Sequence, residues 1–130
     1  MTQQPGFSPT PVVSDSDRTA AALAHAASLI AMVISAGWLS FVGPLVMWLI
    51  YKDRSPFVRQ AAAGSFNFNL GLWVMSIVGW ICIITIIAIP VGVPLLVISF
   101  LGQIIGHIMG TLRATKGRTM NYPFQIKVLR

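Results

Sequence analysis

Two long stretches of this chain, residues 19–51 and 60–112, contain no Lys, Arg, Asp or Glu. A helix on the surface of a soluble protein keeps a charged or polar face, and neither stretch has one. Crossing the apolar core of a bilayer takes about 20 mostly apolar residues. The chain is therefore an integral membrane protein, and that constraint outranks every motif in it. Charged residues make up 9% of the whole, against about 25% in an average soluble domain.

The net charge of +6 would suggest nucleic acid in a soluble protein. Here every basic residue lies outside the apolar blocks, and no basic stripe is interleaved with aromatics. Membrane topology accounts for the charge, and no nucleic-acid partner is expected. One cluster is Lys52, Arg54 and Arg59; the other is Arg113, Lys116, Arg118, Lys127 and Arg130. Two spans separate them, so both face the cytoplasm by the positive-inside rule. The expected location is the cell inner membrane, multi-pass, with the basic loop and C-terminus cytoplasmic and facing anionic lipid head groups.

The expected fold is all-α: a bundle of about four transmembrane or membrane-embedded helices, the first two short, with three spans as the alternative. Residues 1–17, with Pro5, Pro9 and Pro11, read as a disordered polar tail. Residues 18–113 form the membrane domain, and 114–130 a basic cytoplasmic tail. A single straight helix over 19–51 would run about 50 Å, against a hydrocarbon core of about 30 Å. Gly37, Gly43 and Pro44 fall inside it. We read a helix over 19–36, a bend over 37–43 and a second helix over 44–51, which brings the N-terminus back to the cytoplasmic side. Ser55 and Pro56 suit the cap and first position of a long third helix over 56–89. Pro90-Val-Gly-Val-Pro94 predicts the turn before a fourth helix over 93–113.

Gly102, Gly106 and Gly110 recur every four residues, a spacing that lets helix backbones approach closely in lipid. Gln60, Gly64, Asn67 and Gly71 form a comparable stripe on the third helix, the expected partner. The alternative is a homo-oligomer interface. His25, Asn67, Gln103 and His107 are the candidate intramembrane polar contacts, with Ser28 and Ser35 beside His25 on the first helix. Such groups hydrogen-bond across helices at about 0.6 kcal/mol on average. Alternatively they line a polar path, since intramembrane ionisable groups are functional candidates.

Enzyme chemistry has little to work with. The three acids are Asp15, Asp17 and Asp53, none inside an apolar block. No triad acid or carboxylate pair is available there. Two distant histidines and the lone Cys82 make no metal-ligand pattern, so neither a metal nor a cofactor is expected. The leading expectation is a non-enzymatic membrane protein acting through helix packing and partners, as an accessory subunit of a larger complex. The alternative is a small oligomeric channel or transporter subunit.

Several local patterns carry a resemblance. They are Ala22-Leu-Ala-His25, Gly43-Pro-Leu-Val-Met-Trp-Leu-Ile50, Lys52-Asp-Arg-Ser-Pro-Phe-Val-Arg59, Phe66-Asn-Phe-Asn69, and Arg113-Ala-Thr-Lys-Gly117 followed by Tyr122-Pro-Phe. Together they resemble small bacterial membrane proteins of unknown function grouped with the Tic import component of the chloroplast inner envelope. The resemblance implies a four-span helical domain and a translocation-related complex, and no chemistry. The chain departs from that pattern at Arg59-Gln60-Ala61-Ala62, where a His and an acid or amide are common.

Overall fold

The computed structural model describes residues 12–130, so most of the expected polar tail lies outside the described residues. Four helices follow one another: α1 (Asp15–Ser35), α2 (Val42–Tyr51), α3 (Pro56–Ile84) and α4 (Ile89–Thr115). α1, α3 and α4 are long and apolar enough to cross a membrane; α2 is not.

Local chemistry sets the ends. The Ser14 hydroxyl accepts from Asp17 N–H and caps α1, while Asp15 and Asp17 place negative charge in its first turn. α1 therefore begins four residues earlier than expected. It ends where Ala36 and Gly37 take positive φ values of 50° and 91°, and Gly37 tolerates that at no steric cost. Ser55 caps α3 ahead of Pro56, as the sequence suggests. The turn expected at 90–94 lies instead at 85–88, with Ile86 left-handed at φ 58°. Pro90 sits in the first turn of α4, where its missing N–H costs nothing. Pro94 lies inside the helix, and α4 continues through it.

Ala20, Ala21, Val58, Ala61 and Ala114 form one buried cluster. It joins the start of α1, the start of α3 and the end of α4. The N-terminal end of α1 therefore lies beside the two basic clusters, at what we call the basic end. α2 packs on α1 and α3 and does not contact α4. A β-carbon at Gly43 would lie 2.7 Å from that of Ala27, so α2 starts beside the middle of α1. Residues 36–41 thus descend as irregular chain before α2 completes the return. Non-helical backbone at membrane depth survives only when protein buries and satisfies it.

The burial pattern is the reverse of a soluble domain's. The interior holds Ala, Ser, Asn, Gln and His, while Ile30, Val33, Ile34, Val97, Phe100 and Ile105 point outward. Small residues bring the helices together, and large aliphatic ones face outward, as expected in lipid.

A buried polar ring and its surroundings

Asn69 on α3 is fully buried and bonds to every other element of the domain's middle except α2 itself. Its Nδ2 donates to Ser28 Oγ on α1 (3.0 Å) and to the Ser40 carbonyl (3.1 Å) in the irregular link. Its Oδ1 meets His107 Nε2 on α4 at 2.8 Å. The Ser40 carbonyl needs this donor for a specific reason. In an unbroken helix it would accept from the N–H of residue 44, and that residue is Pro44.

The hydrogen-bond directions follow. A carbonyl only accepts, so the Asn69 amide nitrogen faces Ser40 and its oxygen faces His107. His107 Nε2 must donate, which leaves Nδ1 as the acceptor. Ser65 Oγ lies 3.5 Å from that Nδ1, the loosest link, and 3.0 Å from Ser28 Oγ. The four side chains close a ring: Asn69 to Ser28, Ser28 to Ser65, Ser65 to His107, His107 to Asn69. All four are fully buried. A closed ring satisfies each member without water.

His25 lies outside the ring. Its Nδ1 meets the Tyr122 hydroxyl at 2.9 Å, and its ring centroid is 6.0 Å from that of His107. Tyr122 comes from the C-terminal segment, which folds back along α3. It is buried and stacks on Phe68, with centroids 4.3 Å apart and planes 19° apart. Asn67 grips the last residues of the chain. Its Oδ1 accepts from Val128 and Leu129 N–H at 2.9 Å each, and its Nδ2 donates to the Leu129 carbonyl at 2.8 Å. Segment 116–130 therefore adds an irregular strap to the helices, with Phe124, Ile126 and Val128 facing outward.

The glycines divide between two neighbours. Gly102 and Gly106 meet α3, but through Leu72 and the Phe68 ring rather than through the Gly64/Gly71 stripe. Gly64 and Gly71 receive the strap instead, Gly64 against Tyr122 and Gly71 against the Phe124 carbonyl. Gly110 makes room for the Tyr122 hydroxyl and His25. A further close approach pairs Gly79 with Gly92: a β-carbon on Gly92 would lie 2.6 Å from the Gly79 carbonyl. Gln103 is buried beside a cavity, and its Oε1 has no partner. Among the described residues, no three His, Cys, Asp or Glu side chains gather to hold a metal ion.

An outward aliphatic surface, an interior of small and polar residues and three span-length helices define a multi-pass helical membrane protein. Residues 16–129 match the magnetosome magnetite crystal formation (MamF/MmsF) protein family, and the chain belongs to that family. The match shows this family and does not show the plastid-import grouping that the local patterns resembled. No curated protein and no solved structure matches the chain.

Proposed function

We propose that this chain is a non-enzymatic membrane protein of the magnetosome membrane that supports magnetite formation through helix packing and partner binding. The observation that carries this reading is the absence of charge at the end opposite the basic clusters. The links there are Ala36–Phe41 and Thr85–Ala88, and neither contains an acid or a base. Hard metal cations are held by carboxylate and other oxygen ligands. All three acids of the chain lie in or beside its basic segments. A surface built this way offers iron no carboxylate ligand, so its contribution to a mineral is indirect.

The closed polar ring favours packing over conduction. Its donors and acceptors are used on one another and on nearby backbone carbonyls rather than strung between the two ends. At the basic end, Arg59, Lys127 and Arg130 line a cavity of about 380 Å³, which suits anionic head groups. Extraction from a magnetite-forming host in mild detergent, followed by native mass spectrometry, tests the proposal. A stable complex with a second membrane protein is expected. A pure homo-oligomer that conducts ions in liposomes would overturn it in favour of a channel subunit.

A further inference from the structure

α1 and α2 are shorter than the two helices they pack against. Ala20 on α1, Val58 on α3 and Ala114 on α4 share one cluster at the basic end, so the three helices can be measured from a common level. At 1.5 Å per residue, α1 rises about 24 Å from Ala20 to its C-cap at Ala36, whereas α3 rises about 39 Å from Val58 to Ile84 and α4 spans about 38 Å between Ala114 and Ile89. The link after α1 lies level with Trp73: Trp38 and Phe41 meet that ring edge-on, with centroids 6.4 and 6.0 Å away. From there α2 returns toward the basic end, and the strap lies beside Gly64 and Gly71. Beyond Trp73, α3 and α4 therefore continue alone for about 15 Å. Burial follows the same division. Over residues 73–98 only Gly79 and Gly92 are buried, and these two pack on each other. On the basic side of Trp73, α3 buries Val58, Ala61, Ser65, Asn69 and Leu72.

The two-helix end belongs in lipid. Ile81, Ile84, Ile86, Ile87, Ile89 and Val91 are exposed around it, and residues 60–112 carry no charge. From Gln60 to Ile84, α3 covers about 36 Å, enough for a hydrocarbon core of about 30 Å. α3 and α4 thus cross both leaflets, while α1 and α2 fill the leaflet at the basic end and stop part-way through the other. A helix with its side chains is about 10–12 Å across, so the far leaflet carries a cross-section smaller by about 80–110 Å² for each helix missing from it. We propose that the chain is a wedge that gathers on curved membrane with its basic end on the convex face. The convex leaflet of a bent bilayer has more area than the concave one, and the wide end of the wedge takes up that excess. With the basic end cytoplasmic, the favoured shape is a bud or vesicle that swells into the cytoplasm. This preference follows from helix lengths and is independent of the proposed role in magnetite formation.

The test reconstitutes the full-length chain, in a Cys82→Ala background, into giant vesicles of phosphatidylcholine and phosphatidylglycerol from which narrow tubes are pulled outward. Single cysteines are placed at two exposed sites, Lys116→Cys at the basic end and Ile87→Cys at the opposite tip. An impermeant thiol dye added outside marks only molecules that present the chosen end there. The reading is protein density on the tube divided by that on the vesicle, each normalised to a lipid dye. Molecules marked at Lys116→Cys have their wide end on the convex face, and their ratio should exceed one. Molecules marked at Ile87→Cys are inserted the other way, and their ratio should fall below one. If the protein inserts in one direction only, the sign of sorting of that population decides. A ratio of one for either population would overturn the proposal, the result if another copy filled the space beside α3 and α4. Sorting of both populations in the same direction would overturn it too, because a wedge must reverse its preference when it is inverted.

Discussion

Replacing Asn69 with Leu keeps roughly the same volume and removes three hydrogen bonds, to Ser28, Ser40 and His107. At about 0.6 kcal/mol each for intramembrane bonds, their loss costs about 2 kcal/mol. The Ser40 carbonyl makes the cost local as well as global. With Pro44 unable to donate, no backbone N–H replaces the amide, and an orphaned buried carbonyl adds about 1–3 kcal/mol. The link at 36–41 should loosen before the bundle does. In mixed-micelle unfolding, Asn69→Leu should lower the unfolding free energy by at least about 2 kcal/mol, close to a thirtyfold change in equilibrium. Hydrogen exchange should accelerate at residues 37–41. Asn67→Leu is the matched control two residues away. It should free residues 126–130 and leave the link unchanged. An Asn69→Leu protein as stable as the parent, with unaltered exchange at 37–41, would refute the role given to the ring.

Gly106→Leu drives a side chain into the Phe68 ring and should cost about 1–3 kcal/mol of stability in the same assay; unchanged stability would place that face in lipid. Tyr122→Phe removes only the bond to His25 and keeps the stack on Phe68, so a loss of about 0.6 kcal/mol is expected, whereas Tyr122→Ala should release the strap to proteolysis. For orientation, in a bacterial host that forms no magnetosomes, a Cys82→Ala background carrying Ile87→Cys, at a site 93% exposed, should react with an impermeant thiol reagent in whole cells. Lys116→Cys should react only after lysis, and the reverse pattern would invert the topology.

The helices were legible because charge-free length and proline position act locally. Ser55-Pro56 marked the start of α3, and Gly37 and Pro44 marked the bend. Proline misled at 90–94, because the same residue opens a helix as readily as it ends one, and only packing of Gly92 on Gly79 shows which. Each polar stripe in the sequence defines a single helix face. Asn67 and Asn69 are about 200° apart on a helix, so the stripe that contained Asn67 had to omit Asn69, the centre of the ring. Pro44 was the available signal: it leaves the Ser40 carbonyl without a helical donor, and a nearby amide must serve. The strap was illegible because Tyr122 sits in a short basic segment, and the docking of that segment depends on a groove that Gly64, Gly71 and Gly110 open from two different helices.

Under the proposed function, this chain contributes to magnetite formation from within the membrane and not at the mineral surface. Substituting all three acids (Asp15→Asn, Asp17→Asn and Asp53→Asn) in a host lacking the wild-type chain tests this most directly, with crystal number and size counted by electron microscopy. The substituted residues lie outside the polar ring, so the protein should accumulate at the wild-type level. Crystals indistinguishable from those made with the wild-type chain are predicted. Fewer or smaller crystals at an equal protein level would contradict the account and make the carboxylates part of the function.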